Sequence, residues 1–160
     1  MSFRKKTVTI LATGFFIGNM PVAPGTFGTV LGLPLCFLLS GLDLPFAILL
    51  SIIFVFFAIW IAHDAELILK KKDPGCIVID EIAGIMVTFI GLPFNITTAV
   101  AGFLIFRLFD ILKPFPIRHL ERKLSGGAGV VLDDVAAGIY SNLSLRVVVF
   151  LLPIAMKGYI

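Results

Sequence analysis

Charge is what this sequence has least of. No acidic or basic side chain occurs between Thr7 and Leu42, and further uncharged runs cover Leu44 to Ala62, Ile82 to Phe106 and Val147 to Met156. Only 14% of the residues are charged, against about a quarter in an ordinary soluble domain, while 59% are hydrophobic. That balance, with a mean hydropathy of +1.08, excludes a water-soluble globule and places the chain in a membrane. Cysteine is scarce as well: Cys36 in an apolar run and Cys76 in a loop form neither a disulfide framework nor a zinc site. The two histidines, His63 and His119, have no partner at metal-ligand spacing and read as structural. A net charge of +3 is too small for a polyanion-binding surface, so no nucleic-acid partner is expected.

The apolar runs set the architecture. Leu44 to Ala62 is long and continuous enough to cross roughly 30 Å of hydrocarbon as one helix. Chain reversal at Gly41 to Pro45 makes residues 30–40 and 45–62 a helical hairpin. Ile82 to Phe106 is interrupted by Gly91, Pro93 and Asn95, which predicts two short helical pieces of about 11 residues, each reaching only about 16 Å. Such a hairpin enters and returns, with its tip buried among other helices. The run after Arg146 crosses once more. Basic residues gather at 4–6, 70–72 and 107–123, which marks one cytoplasmic face by the positive-inside rule. Pro21 and Pro24 interrupt the first apolar stretch and no small-residue cleavage site follows, so a cleaved signal peptide is not expected. The expectation is an all-α polytopic membrane bundle with short broken helices, forming a single domain over 1–160; "CIVID" (76–80) alone has strand-like composition.

Of ten acidic residues, six fall in a pattern: Asp73, Asp80 and Glu81 in "DPGCIVIDE", Asp110 in "FRLFDILKPFPIRH", and Asp133 and Asp134 in "GGAGVVLDD". Asp73, in Asp-Pro-Gly, reads as a turn residue. Asp80 and Asp133 suit helix N-caps, but one cap suffices per helix, and a second acid pressed beside it at a membrane boundary calls for a positive partner. A hard divalent cation such as Mg²⁺ answers that need, with Glu81, Asp133 and Asp134 as its candidate ligands. Arg107, Asp110 and Lys113 step at three-residue intervals along one helix face, either as a salt-bridge ladder or as a positive face for a phosphate. Arg118, His119, Arg122 and Lys123 decorate an interfacial segment attracted to anionic head groups. Two glycine turns, Gly25, Thr26 and Gly28 in "PVAPGTFGT" and Gly126, Gly127 and Gly129 in "SGGAGVV", can bring backbone N–H groups to one anion or act as plain loops.

"PVAPGTFGT", "DE..G" at Asp80, Glu81 and Gly84, "FR.FD..KP.PI" at 106–117 and "GG.G...DD..AG" at 126–138 resemble the phosphatidylglycerophosphatase A family from about residue 14 to 140. The resemblance implies a Mg²⁺-dependent phosphatase of the bacterial inner membrane, acting at the cytoplasmic face to convert phosphatidylglycerophosphate to phosphatidylglycerol, with an all-α fold. On that reading Asp80, Glu81, Asp110 and Asp134 are the catalytic candidates, and Gly25, Thr26, Gly28, Arg107, Lys113, Gly126 and Gly127 meet the substrate. Direct attack by water and a phospho-Asp intermediate on Asp110 or Asp80 both fit these residues. Two rivals use similar residue types: a CDP-alcohol-type phospholipid transferase, whose D-x2-D-G-x2-A-R pattern "DDVAAG" lacks, and a non-enzymatic membrane subunit.

Overall fold

The computed structural model describes residues 3–157, with the side chains of Arg122 and of residues 152–157 outside the description. Among the described residues there are seven α-helices, one turn of 3-10 helix at Ile17–Asn19, and no strand. The all-α expectation holds, and "CIVID" runs through a loop into a helix. The helices are α1 (Phe3–Ala12), α2 (Pro24–Ser40), α3 (Leu44–Leu69), α4 (Ile79–Thr88), α5 (Ile96–Leu112), α6 (Ile117–Lys123) and α7 (Gly127–Lys157).

Two of them, α3 and the stretch Gly127–Leu151 of α7, are long and apolar enough to cross a membrane. The 26 residues of α3 span about 39 Å, so its charged end, with Asp64 and Glu66, runs past the apolar stretch. The outer surface is apolar: Phe37, Phe46, Phe56, Trp60, Leu104 and Phe150 all stand open on the helix exteriors. Exposed apolar surface on this scale needs a non-aqueous surround.

The Ile82 to Phe106 run does turn back. Asn95 caps α5 by accepting from the Thr98 N–H while the Thr98 hydroxyl accepts from the Asn95 N–H, and Gly91 takes a left-handed φ of 66° in the preceding turn. The two arms are unequal, 10 residues in α4 and 17 in α5, because Asp80 begins its helix at the level of Arg107 while α5 continues to Leu112. Residues 89–95 reach the depth of the α2–α3 connection, with Phe94 against the Phe37 ring and Gly91 beside Leu44.

The buried end of α4 leaves carbonyls without intrahelical donors, and α7 supplies them. Asn142 Nδ2 donates to the carbonyls of Thr88 and Ile90, both at 2.9 Å; Arg146 Nη2 also donates to Ile90 O, and its Nε holds Asn142 Oδ1. Close packing of the same pair depends on Gly84 and Gly138, where a Cβ on Gly138 would collide with Gly84 O.

The last apolar run is not a separate crossing begun after Arg146. It is the distal part of α7, which starts twenty residues earlier at Gly127. Gly127 opens this helix instead of a flexible turn because it lies directly on the α3 backbone at Ile59 and His63, a contact that tertiary packing creates and local sequence does not signal.

Replacing Asn142 by Ala removes these bonds without adding bulk to the α4–α7 seam. An unmet buried carbonyl costs about 1–3 kcal/mol, so a loss of about 2–4 kcal/mol is expected. A thermal unfolding midpoint in neutral detergent checks this; an unchanged midpoint would show that the α4 terminus does not depend on Asn142.

Candidate phosphatase site

Four helices converge at the charged end of the bundle. Asp80 and Glu81 occupy the first turn of α4, where acids face the positive end of the helix dipole, and Asp80 Oδ1 accepts from the Glu81 N–H at 3.1 Å. Asp134 comes from α7, across the seam where Gly84 admits both the Phe106 ring and the Asp134 carbonyl. Carboxylate oxygens of Asp80, Glu81 and Asp134 lie within 4.8 Å of one another. Three acids this close, two buried and Glu81 half-buried, repel, and oxygen is their only donor type, so the group suits a hard divalent cation. Glu81 Oε2 and Asp134 Oδ2 are buried with no hydrogen-bond partner among the described residues, so both oxygens fit as ligands of such an ion.

α5 supplies the counter-charge. Arg107 Nη1 donates to Asp110 Oδ2 at 2.5 Å and stands 3.8 Å from Glu81 Oε1 and 3.5 Å from Thr29 Oγ1 of α2. These contacts set both arms of the hairpin at one level. Arg107 Nε is buried without a partner, so the guanidinium has donor capacity to spare for an anion.

Lys113, one turn beyond Asp110, donates to Asp133 Oδ2 at 2.6 Å and to Glu121 Oε1 at 2.9 Å. Burial alone would lower its pKa; the bonds and charges of Asp133 and Glu121 outweigh that and hold the ammonium above the usual lysine range. A folded pKa above the unfolded value contributes stability that is present at neutral pH and lost only as strong alkali deprotonates the group. Lys113 is therefore a fixed cation throughout the physiological range.

The structure thus divides the two acids of "DD". Asp134 joins Asp80 and Glu81, whereas Asp133 turns to Lys113 with its Oδ1 buried and unmet. Adjacent helical residues are rotated by about 100°, and on α7 that rotation carries Asp133 to Lys113 while Asp134 stays at the cluster. Asp80, which the sequence marks first as a cap, sits within the cluster.

The two glycine segments are placed differently from a pair of turns on one anion. Pro24, Gly25 and Thr26 form the first turn of α2, entered through Ala23 at a left-handed φ of 49°. Gly25 lies against the Glu81 carboxylate and near Arg107, where any Cβ would intrude, so this segment does border the acids. Gly28 packs on Val78. Gly126 and Gly127 lie against His63 of α3, and Gly127 is about 9 Å along α7 from Asp133. Thr29 and Glu121 were not singled out by sequence reasoning. Thr29 is one helical turn from Gly25, whose carbonyl it bonds, a spacing that becomes visible only once the PGT segment is known to be helical.

An oxygen-only cluster able to hold a metal ion thus lies beside an arginine in an all-α bundle clad in apolar side chains. The phosphatidylglycerophosphatase A family model matches residues 10–149, and the chain belongs to that family of phosphatases. It is similar to the phosphatidylglycerophosphatase A of Escherichia coli (strain K12), at 36% identity over 82% of this chain and 77% of that protein. The phosphatidylglycerophosphatase A of Haemophilus influenzae (strain Rd) is 35% identical over 84% of this chain and 83% of its own. A Bacteroides thetaiotaomicron protein carried as a candidate phosphatidylinositol-3-phosphatase is 37% identical over 86% of this chain and 91% of its own. No solved structure matches the chain.

Lys113→Met leaves Asp133 buried without its cation. Removing one partner of such a pair costs about 3–5 kcal/mol, less where solvent reaches it, so about 3 kcal/mol is expected here, with partial recovery in the double variant Lys113→Met/Asp133→Asn. Unfolding midpoints of the single and double variants test the pairing; equal midpoints for both would refute it.

Proposed function

We propose that this chain is a Mg²⁺-dependent phosphatase that releases the terminal phosphate of phosphatidylglycerophosphate, giving phosphatidylglycerol in phospholipid synthesis. The carrying observation is the convergence of Asp80, Glu81 and Asp134 with Arg107, in a family whose relatives bear that name. Oxygen ligands at this spacing fit Mg²⁺, which would polarise the phosphate and acidify a bound water. Asp80, Glu81 and Asp134 would hold it. Asp133, bonded to Lys113, keeps that lysine beside the ligand set.

The chain's own groups account for the remaining work. Arg107 binds the phosphate oxygens through its spare donors and balances the charge that spreads over them in the transition state. As the phosphate draws Arg107 away, Asp110 Oδ2 is released to accept the proton of the attacking water. Asp110 suits this role because it borders the cluster without being needed to hold the cation, and its side chain keeps 12% exposure through which the proton leaves. The water oxygen forms the new P–O bond, the bond to the glycerol oxygen breaks, and that oxygen takes a proton from solvent.

The bundle is read as a multi-pass protein of the bacterial inner membrane. Arg4 of α1, which pairs with Asp64, and Lys70 to Lys72 sit at the end where Lys113 and α6 also lie, and the positive-inside rule makes that end cytoplasmic. The Bacteroides relative supports a second head group, a phosphorylated inositol, on the same phosphomonoester chemistry.

Phosphate release from phosphatidylglycerophosphate by the detergent-purified chain, with and without Mg²⁺, tests this reading, with phosphatidylinositol 3-phosphate as the competing substrate. Glu81→Ala and Asp134→Ala are expected to lower kcat/KM by at least about a thousandfold, and Asp110→Asn by about a hundredfold or more, the usual worth of a general base. Metal-independent release, or full activity in Asp134→Ala, would end the proposal. Acid quench during turnover of ³²P-labelled substrate should leave no label on the protein; ³²P on Asp110 or Asp80 would establish the covalent route instead.

A further inference from the structure

Beyond the C-terminus of α5 lies a cavity of about 400 Å³ that the catalytic groups do not fill, lined by Leu112, Lys113, Pro114, Phe115, Arg118 and His119. It offers an arginine and a histidine with no carboxylate in its lining, while the ammonium of Lys113 is held by Asp133 and Glu121. Arg118 is exposed and, among the described residues, makes a single long bond, 3.3 Å from Nη2 to Leu112 O, which uses one of its five donors. The neighbouring surface is apolar. Phe115 is 83% exposed at the rim, and Leu104, Leu108, Ile111 and Leu112 form an exposed stripe along α5 at helical spacing that ends at the cavity. Cationic donors at the head of an apolar track fit an amphipathic anion, and a free phosphate would have no use for the stripe.

We propose that this cavity is the subsite for the phosphodiester of the lipid substrate, with Arg118 as its principal ligand, assisted by His119, and with the acyl chains following the exposed face of α5. The inference rests on the proposed function, since the substrate named there carries two phosphates, a monoester and a diester, separated by a three-carbon bridge. Six bonds of about 1.5 Å in staggered geometry set the phosphorus atoms roughly 7 Å apart. From Arg107, which faces the monoester, to Leu112 at the cavity, α5 rises about 7.5 Å. The axial offset is of the same order as the phosphorus separation, with Arg107 at one phosphate and Arg118, bonded to Leu112 O, past the helix end at the other. A phosphoinositide has the same diester, so this subsite recognises the shared part of both head groups.

The test uses the full chain in neutral detergent, with dihexanoyl phosphatidylglycerol, which has the diester and no monoester, as the binding probe. Arg118→Gln is expected to weaken its binding about tenfold, the worth of one hydrogen bond to a charged group. The same variant should raise KM for short-chain phosphatidylglycerophosphate by a similar factor with kcat changed less than about twofold, and leave hydrolysis of p-nitrophenyl phosphate, which lacks a diester, within about twofold. Lys71→Gln, an equal loss of charge away from the cavity, should change none of these and so separates a subsite from general surface attraction. Unaltered phosphatidylglycerol binding in Arg118→Gln, or the same loss in Lys71→Gln, would overturn the subsite. Binding that depends on Arg118 without any phosphate release from the wild-type chain would sink the proposed function and leave the subsite standing.

Discussion

Mutual repulsion among buried carboxylates is the constraint around which this bundle is organised. Asp80, Glu81, Asp110, Asp133 and Asp134 crowd into a region served by Arg107 and Lys113, and Lys113 is shared with Glu121. Ionised groups in a low-dielectric interior are unfavourable unless a counter-charge is close, and two cations cannot balance five acids. The excess is what makes the site a receptor for positive charge. Arg107 joins Glu81 and Asp110 on one flank and Lys113 restrains Asp133 on the other, so the residual demand falls on the gap among Asp80, Glu81 and Asp134. The structure concentrates its excess of acid among Asp80, Glu81 and Asp134.

Bringing three acids from two helices within reach of one ion requires backbones closer than ordinary side chains permit. Glycine provides that approach. Gly84 and Gly138 let α4 and α7 touch, Gly28 and Gly32 bring α2 onto Val78 and Ile85, and Gly25 leaves room for the Glu81 carboxylate. In hydrocarbon there is no hydrophobic drive between helices, so such small-residue seams and interhelical hydrogen bonds supply the association. Cys36 Sγ to Ile85 O and Asn142 to the end of α4 are bonds of that kind.

The sequence displays much of this because charge is so rare in it. Where four-fifths of the chain is silent electrostatically, each acid or base is conspicuous, and the residues that meet at the site, Asp80, Glu81, Arg107, Asp110, Lys113 and Asp134, can be picked out before any fold is known. Hairpin formation in Ile82 to Phe106 is equally legible, since Gly91, Pro93 and Asn95 are local breakers. What stays hidden is set by tertiary contact. Whether Gly127 begins a helix depends on the α3 backbone beside it, and which of Asp133 and Asp134 faces the cluster depends on the rotation of α7, which Gly138 and Asn142 fix from one and two turns away. Pro24 illustrates the same limit: proline and glycine announce a turn, yet proline is also favoured in the first turn of a helix, and here it takes that place.

Depth explains why the hairpin is shaped as it is. A helix that crossed the bilayer once from Asp80 would carry Arg107 to the opposite face, and the ion pair with Glu81 could not exist. Returning solves this but leaves the C-terminal carbonyls of α4 at the far end of the bundle without intrahelical donors. Asn142 and Arg146 meet those carbonyls from α7, the helix that also brings Asp134 to the cluster. The same helix therefore meets α4 at both ends: polar bonds hold its terminus, a glycine contact sets its distance, and Asp134 joins Asp80 and Glu81 at its beginning. Sliding α7 by one turn would break all three at once, which gives the catalytic register a single mechanical origin in the α4–α7 seam.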